Sequence, residues 1–204
     1  MLKIRKTPKT TKRIVVTFDI CSSSDILEDV IKTENIDKWW YLLNGLKKHI
    51  EKEMNDLDFE IYKFTGDGWI LLFDYNYPGC EILKFLSDLS KIFDVNFRNR
   101  ILDILDTHPD IIGLTFGMDR GTLIELIIKG ETEYIGRPIN IACRLQNAIK
   151  DKDENPQNKV MMTKHLYNTM KDEISNYSHE KVKRILRNIS GNRIFHCVKV
   201  SLLD

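Results

Sequence analysis

Apolar residues along the chain follow the two periods that distinguish buried strands from amphipathic helices. Apolar runs with β-rich composition predict strands at residues 13–20, 59–64, 69–73, 111–118, 122–128, 160–162, 182–186 and 193–200. Helical spacing predicts three longer helices, with apolar stripes at Trp40, Leu43, Leu46, Ile50 and Met54, at Ile82, Leu86, Leu89, Phe93, Phe97, Ile101 and Leu105, and at Ile141, Leu145 and Ile149. A short helix is predicted at residues 164–170.

The order of these elements predicts an α+β domain. The first six fit a ferredoxin-like βαββαβ core, in which helices pack on a mainly antiparallel sheet. Thr65-Gly66-Asp67-Gly68 joins the second and third strands, and Pro138 lies where the first turn of a helix accepts proline. Gly121 separates two strands, and we interpret residues 113–121 as part of a hairpin.

Length and charge limit the classes of protein to consider. A chain of 204 residues suits one domain, since domains usually have about 100–200 residues. The 31 Lys and Arg residues nearly balance 30 Asp and Glu residues, so no specific nucleic-acid binding is predicted. Residues 1–13 carry six positive charges and no acid, which predicts a flexible basic arm before a folded domain at residues 14–204. No apolar run approaches the roughly 20 residues of a membrane span.

The cysteines and histidines are scattered along the chain. Cys21, Cys80, Cys143 and Cys197 form no Cys-x-x-Cys pair, and no His lies at zinc-ligand spacing from them. Reduced thiols are the rule in cytosolic proteins, so we expect a cytoplasmic protein. A metal held by soft ligands is not expected, whereas one held by carboxylates stays open.

Two aspartates lie where the predicted sheet would bring them together. Asp19 ends the first strand, and Asp67 lies in the turn of the hairpin after the first helix. In a βαββαβ sheet these elements are neighbours, so both carboxylates would project from one edge. Magnesium prefers one or two carboxylates together with waters and substrate phosphates, which predicts a two-metal site for phosphoryl transfer. Taken singly, a Gly-Asp-Gly sequence is usually only a turn, and an Asp after a strand is usually a cap.

Three motifs in order resemble the motif series of the class III nucleotidyl cyclases. They are Phe18-Asp19-Ile20, Lys63-x-x-Gly66-Asp67 and Gly136-x-x-Ile139-Asn140-x-Ala142-x-Arg144, and they lie within residues 14–146. Members of this family convert a nucleoside triphosphate into a 3′,5′-cyclic monophosphate and pyrophosphate. The resemblance implies a phosphorus–oxygen lyase with two Mg²⁺ or Mn²⁺ ions in each active site.

The resemblance also implies a role for each matched residue. Asp19 and Asp67 match the two metal-binding aspartates, with the backbone carbonyl of Ile20 as a further ligand. Asn140 matches the residue that orients the ribose, and Arg144 the one that stabilises charge on the α-phosphate. Their i, i+4 spacing puts both on one helix face. Without the other motifs, the same pair would indicate an ordinary exposed helix surface.

In this family each catalytic site is shared between two chains. Asp19 and Asp67 would come from one protomer, and Lys63, Asn140 and Arg144 from the other. Because the chain carries both halves, the resemblance implies a homodimer with two equivalent sites.

Lys63 and Glu133 bear on the choice of base. Lys63 matches the lysine with which adenine-specific members read the base edge, and Glu133 falls where those members carry an aspartate. Such a pair reads an acceptor beside an exocyclic amine, which adenine and cytosine both present, and uracil offers an acceptor beside an N–H donor. Because Glu reaches further than Asp and a pyrimidine is smaller, we favour a uridylate or cytidylate cyclase. The alternative for Glu133 is a solvated acid in a loop.

Other parts of the family pattern are altered or poorly matched. The loop that cradles phosphates with backbone N–H groups consists here of Ser22, Ser23 and Ser24, and small polar residues can still do this. Arg120 is the nearest match to the phosphate-binding cation, although it is one or two positions out of register. Arg184 and Arg187, late in the sequence, are candidates for a further cation at the site.

The sequence shows no sensor, transmembrane or linker domain. This stand-alone architecture, with its altered loops, resembles the pyrimidine cyclases of bacterial Pycsar anti-phage systems, which make cyclic UMP or cyclic CMP on phage infection. The resemblance implies a separate effector protein that responds to the cyclic nucleotide.

Three alternatives to a pyrimidine cyclase stay open. A stand-alone adenylate cyclase is supported by Lys63. A palm-type polymerase or diguanylate cyclase shares the two-aspartate hairpin, but the chain lacks Gly-Gly-Asp-Glu-Phe and carries the helix with Asn140 and Arg144. A degenerate cyclase domain that serves only as an interaction module would not be expected to retain the metal aspartates together with these two residues.

Overall fold

The computed structural model describes residues 7–107, 109–150, 153–189, 191 and 194–203. The strands are β1 (Lys9–Ile20), β2 (Phe59–Phe64), β3 (Gly68–Asp74), β4 (Leu114–Ile128), β5 (Glu131–Ile135), β6 (Lys159–Thr163), β7 (His179–Ile185) and β8 (Ile194–Ser201). The helices are α1 (Ser23–Lys32), α2 (Ile36–Leu57), α3 (Gly79–Arg100), α4 (Arg137–Lys150) and α5 (Lys164–Met170), with a 3₁₀ turn at Leu102–Ile104. Among these helices, none combines the length and apolarity of a membrane span.

The described strands form one mainly antiparallel sheet. Its order is β2-β3-β1-β4-β6-β8-β7, and β5 pairs with β4 beside this path. Strands β4 and β6 run parallel. The first four strands have the order β2-β3-β1-β4 and are connected through α1, α2 and α3, which confirms the α+β class and the predicted βαββαβ core.

The sheet separates a thick helical layer from a thin one. Alternate residues of β1, among them Val16 and Phe18, are buried in the main core with α2, α3 and α5, as the period-two pattern of a strand requires. The other face is covered by α4, whose Ala142 packs with Val15. Further along α4, Leu145 packs with residues of β6 and β8.

Strand β1 begins earlier than the sequence predicts. Lys9 pairs with Glu125 of β4, and the pairing continues to Ile20 opposite Leu114. The prediction of a flexible arm at residues 1–13 is therefore wrong for residues 9–13, because backbone pairing does not depend on the charge of exposed side chains. The arm's residues 1–6 lie outside the described residues.

Strand β4 is continuous through Gly121. A Cβ atom on Gly121 would lie 2.8 Å from Cγ of Pro138, so this glycine allows α4 to approach the strand and does not form a turn. The chain reverses instead at Lys129 and Gly130, where φ is positive, and β5 follows. The hairpin predicted around residues 113–121 is absent from this part of the described chain.

The region between β1 and β2 contains two helices where the sequence predicts one. The serines interpreted as a loop begin a helix, since Ser22 adopts φ 53° and α1 starts at Ser23. In α2, Leu46 and Ile50 are buried as predicted, but the stripe begins with Trp39. Trp40 is 58% exposed, so its predicted place in the core is wrong.

Candidate metal and nucleotide site

Asp19 and Asp67 lie side by side at one edge of the sheet. Asp19, near the end of β1, is paired with Gly68 of β3, and Asp67 directly precedes Gly68 in the turn. Two glycines permit this approach. Gly66 has φ +109°, and a Cβ on Gly68 would lie 1.8 Å from the carbonyl oxygen of Phe18. The turn therefore lies directly against the end of β1.

The two carboxyl groups interact directly. Burial, followed by a hydrogen bond with Asp19, raises the pKa of Asp67 to about 6. The hydroxyl of Ser23 donates a hydrogen bond to Asp67 Oδ2. Two carboxylates at such close range oppose each other's ionisation, and a cation shared between them removes this penalty. The two aspartates therefore form a site that favours the binding of a cation.

On its other side, Asp19 contacts the C-terminal end of α4. Lys150 Nζ lies 2.6 Å from Asp19 Oδ2 and donates to the carbonyl oxygen of Ile20 at 3.3 Å. One turn earlier, Gln146 Nε2 lies 3.5 Å from the same carboxylate oxygen and donates to Thr115 Oγ1 at 2.6 Å. Lys150 and Gln146 belong to none of the motifs found in the sequence. Their spacing of four residues, after Asn140 and Arg144, was the available signal.

The oxygen atoms at this edge fit Mg²⁺ or Mn²⁺. The carboxylates of Asp19 and Asp67 are hard ligands of the kind these ions prefer, and the carbonyl of Ile20 already accepts a hydrogen bond from a cationic group. Within the described ranges, no group of three or more His, Cys, Asp or Glu side chains is arranged to hold a metal. An ion here would complete its coordination with water and substrate phosphate.

Lys63 and Glu133 form an ion pair although their strands are not neighbours in the sheet. Lys63 Nζ on β2 lies 3.2 Å from Glu133 Oε2 on β5. The hydroxyl of Tyr62 donates to the same Glu133 oxygen at 2.6 Å and accepts a hydrogen bond from the backbone N–H of Tyr134 at 3.0 Å. The hydrogen bonds from Tyr62 and Lys63 lower the pKa of Glu133, so its carboxylate is an acceptor at neutral pH. Glu133 thus lies in a strand and not in a loop.

A β-bulge explains how Tyr62 and Lys63 both reach Glu133. The register between β2 and β3 shifts between Ile61, opposite Leu71, and Lys63, opposite Ile70. Tyr62 is the inserted residue. Successive side chains of a regular strand point to opposite faces, whereas a bulge redirects one of them. Tyr62 was not predicted as a site residue, because the pattern of apolar residues in β2 gives no sign of the bulge.

Asn140 and Arg144 lie on a different side of α4 from the residues that contact Asp19. At about 100° per residue, they are about 40° apart around the helix, whereas Gln146 and Lys150 lie about 80–160° from them. Asn140 is exposed and lines a shallow pocket of ≈ 510 Å³ with Ile124 of β4. The end of α4 therefore contacts Asp19 of its own chain, whereas Asn140 is exposed to the solvent.

The three serines occupy different environments. Ser22 donates to the carbonyl oxygen of Ile111 at 3.0 Å, Ser23 donates to Asp67, and Ser24 is exposed in the first turn of α1. The N-terminus of α1 therefore lies beside the aspartate pair. Helix N-termini carry unpaired N–H groups that favour anions, and the contact of these serines with phosphates stays a prediction.

The three candidate phosphate-binding arginines lie in different parts of the fold. Arg184 on β7 donates to the carbonyl oxygen of Ala148 on α4 at 3.3 Å. Arg120 stacks on Tyr75, with its guanidinium carbon 3.7 Å from the ring centroid. Arg120 is opposite Ile14 in the sheet, whereas Asp19 is opposite Thr115, which lies five residues before Arg120 in β4. Arg120 therefore does not join the aspartates, because the continuous β4 carries it away from them. Arg187 is exposed in the turn after β7, next to Asn188, which lines the pocket of Asn140.

Several solved structures that resemble this fold are cyclases. The adenylyl cyclase CyaB from P. aeruginosa superposes with a TM-score of 0.74 at 18% identity, covering 97% of this chain and 96% of that one. An adenylate/guanylate cyclase/hydrolase from Silicibacter pomeroyi gives 0.61 at 15% identity, covering 95% and 98%. Adenylate cyclases from Trypanosoma brucei in their monomeric state give 0.66 at 11% identity, covering 94% and 90%. No protein-family model and no curated protein matches the chain. The comparison shows the fold of the class III cyclase catalytic domains.

Proposed function

We propose that the protein is a nucleotidyl cyclase that converts a nucleoside triphosphate into a 3′,5′-cyclic nucleotide and pyrophosphate. One observation carries the proposal: within a cyclase fold, Asp19 and Asp67 converge with the carbonyl of Ile20 at the edge of the sheet. In the reaction, the 3′-oxygen of the ribose forms a bond to the α-phosphorus. The bond from that phosphorus to the pyrophosphate oxygen breaks, and the 3′-hydroxyl proton is released.

In this proposal, some residues of the chain bind the metal ions and others bind the substrate. Asp19 and Asp67 would bind the ions, which supply Lewis acidity to the 3′-oxygen and the triphosphate. Asn140 would hold the ribose, and Arg144 would neutralise charge that develops on the α-phosphate. The first turn of α1, beside Asp67, offers backbone N–H groups to the phosphates.

The arrangement of α4 supports a homodimer with two shared sites. Asn140 and Arg144 lie on a different side of α4 from the residues that contact Asp19, so a second chain would complete each site. Ile124 and Ile135, which flank Asn140, are 40% and 51% exposed. Paired apolar residues at an exposed rim suit contact with another protein surface, and a homodimer places the same rim on both chains.

The ion pair of Lys63 and Glu133 offers a donor and an acceptor to a base, and we favour a pyrimidine because Glu reaches further than Asp. The lysine is a donor, and the carboxylate, held by Tyr62, is an acceptor. This arrangement suits cytosine or uracil, and adenine remains the alternative because its edge presents the same acceptor and amine. The anti-phage role and the separate effector stay predictions from the sequence resemblance, and the cytoplasmic location stays a prediction from the scattered cysteines.

The test is product analysis with each of the four labelled nucleoside triphosphates in Mn²⁺. We expect cyclic UMP or cyclic CMP as the main product, and no product from the Asp67→Asn variant although it elutes as a dimer in gel filtration. Cyclic AMP as the sole product would support the adenylate alternative. Linear or dinucleotide products, or undiminished turnover by Asp67→Asn, would overturn the cyclase mechanism.

The base assignment has its own variant. Glu133→Gln keeps the size of the side chain but replaces the charged acceptor with an amide that also donates. We expect the ratio of kcat/KM values among the four triphosphates to change by at least about ten-fold, since base-reading hydrogen bonds contribute about 1–3 kcal/mol. An unchanged ratio would place base selection elsewhere.

A further inference from the structure

Lys150 places a cationic group inside the candidate metal site. Its ammonium nitrogen lies 2.6 Å from Asp19 Oδ2 and 3.3 Å from the carbonyl oxygen of Ile20. These atoms belong to two of the three oxygen-bearing groups that converge at the site. At such distances, an ammonium group and a metal ion compete for the same lone pairs.

The fold holds Lys150 in this position. It is the last residue of α4, and Gln146 one turn earlier is anchored to Thr115 on β4 at 2.6 Å. The helix lies close to β4 because Gly117 has no side chain, since a Cβ there would lie 2.0 Å from the carbonyl oxygen of Ala142. The side chains of Lys150 and Asp19 are only 30% and 23% exposed. The contact is therefore more than a surface pair between two freely moving side chains.

We propose that Lys150 is a built-in counter-ion of the metal site, which a divalent cation must displace in order to bind. The inference rests on the proposed function, because it takes Asp19 and Asp67 as the metal ligands. Lys150 opposes the metal both by occupying its oxygen ligands and by Coulomb repulsion. In the absence of metal, the same ammonium group compensates the charge of the aspartate pair.

The counter-ion has a consequence for the order of binding. A divalent ion alone gains less from Asp19, because it must first displace a positive charge that already pairs with this carboxylate. An ion that arrives with the triphosphate brings negative charge, which offsets the repulsion from Lys150. Metal and nucleotide are therefore expected to bind with positive cooperativity, and the cooperativity should depend on Lys150.

The experiment measures Mn²⁺ binding to the nucleotide-free protein by the loss of the paramagnetic resonance signal of free Mn²⁺. The variants are Lys150→Met, which removes the charge and keeps the stem, and Lys150→Arg, which keeps the charge. We expect Lys150→Met to lower the Kd for Mn²⁺ by at least about ten-fold, since a unit charge a few ångströms away interacts strongly even at a partly solvated site. Lys150→Arg should stay within about three-fold of the wild type, because its charge is retained.

Two further variants serve as controls. Lys91→Met removes a lysine that pairs with Asp88 at 3.1 Å on the surface of α3, so it matches the loss of charge but should leave the Kd unchanged. Asp67→Asn should abolish Mn²⁺ binding and thereby show that the measured site is the aspartate pair. Thermal unfolding in EDTA gives a second readout, in which Lys150→Met should melt below the wild type and gain more than the wild type from added Mn²⁺. Lys150→Gln repeats the test if the Met variant does not fold.

The outcomes separate this inference from the proposed function. An unchanged Mn²⁺ affinity in Lys150→Met, with binding still abolished by Asp67→Asn, would overturn the proposed role of Lys150 as a counter-ion. It would leave the assignment of the metal site intact. Weaker Mn²⁺ binding in Lys150→Met would overturn it as well, since Lys150 would then support the metal. If neither the wild type nor Lys150→Met bound Mn²⁺, the metal site and the cyclase proposal would both fail.

Discussion

At the scale of residues, the pKa of Asp67 is set by the surroundings of its side chain and differs from that of an ordinary aspartate. Burial and the nearby Asp19 carboxyl raise its pKa to about 6, far above the usual range of an aspartate. An aspartate with this pKa binds a proton at mildly acidic pH where others are ionised. It is therefore a site where protons and divalent cations compete.

The raised pKa predicts how stability depends on pH in the metal-free protein. Between about pH 4 and 6, the folded state keeps a proton on Asp67 that the unfolded state releases, so the free energy of unfolding falls as the pH rises. Asp67→Asn cannot lose this contribution. We expect the melting temperature of the wild type, relative to Asp67→Asn in EDTA, to fall by about 2–4 °C from pH 4.5 to 6.5, after allowance for solvent screening. Parallel pH curves for the two proteins would contradict the raised pKa.

The contact of Tyr62 with Glu133 could not be predicted from the pattern of residues in the sequence. Alternation along β2 places Tyr62 and Lys63 on opposite faces, and only the register shift beside Ile61 brings both to Glu133. Lys63 was found from the sequence because it belongs to a motif. Tyr62 belongs to no motif, and its contact depends on a bulge that the spacing of apolar residues does not show.

At the scale of elements, the packing of α4 on β4 links the core to the site. Gly117 allows this contact, and the end of the same helix carries Gln146 and Lys150 to Asp19. A shift of α4 relative to the sheet would therefore change the surroundings of Asp19 and the direction of Asn140 together.

Gly117→Ala tests this packing. The added methyl group would lie 2.0 Å from the carbonyl oxygen of Ala142 and 2.7 Å from the backbone nitrogen of Gln146, both on α4. Because the backbone cannot move easily, we expect a loss of about 1–3 kcal/mol in the free energy of unfolding, measured by urea denaturation, and a weaker affinity for Mn²⁺.

Gly45→Ala is the matched control for Gly117→Ala. Its nearest neighbours are atoms of the Asn96 side chain at 3.8 Å or more, so it should be neutral or stabilise α2 by up to about 1 kcal/mol. Equal effects of the two substitutions would contradict this account.

Most elements were predictable because burial repeats with the period of the element. Strands β2 and β3, the apolar stripe of α3 from Ile82 to Phe97 and the short helix α5 agree with the structure. The last two residues of the predicted stripe, Ile101 and Leu105, lie beyond the end of α3 at Arg100. The errors fall where a local signal has two interpretations. Trp39 and Trp40 both fit a helical stripe, and the core decides between them. Gly121 fits a turn as well as a close helix contact, and only the position of Pro138 shows which applies.

At the scale of the whole molecule, α4 serves two sites in the proposed dimer. Its C-terminal end contacts Asp19 of its own chain, while Asn140 and Arg144 would act in the site formed with the partner's aspartates. Each chain then contributes one half to each of two sites, as a two-fold symmetric interface requires.

This arrangement predicts complementation between two inactive variants. Asp67→Asn and Arg144→Ala should each lack cyclase activity as homodimers. In a mixed dimer, one of the two sites carries both substitutions and the other carries neither. Random exchange at equal concentrations should therefore restore about a quarter of the wild-type activity, by the symmetry of the dimer. The measurement is the rate of cyclic nucleotide formation after mixing, with Asp67→Asn plus Asp19→Asn as the control pair that leaves no intact site. Absence of recovery from exchanged mixtures would show that the site is not shared.

By itself, the sequence determined in which elements the candidate site residues lie. Burial periodicity and motif spacing are properties of neighbours along the chain, so Asp19 at a strand end, Asp67 in a turn and Asn140 with Arg144 on one helix could be found without coordinates. The tertiary structure decided what these residues contact. The position of Lys150 against Asp19 depends on the close packing of α4, a long-range property to which no local pattern corresponds.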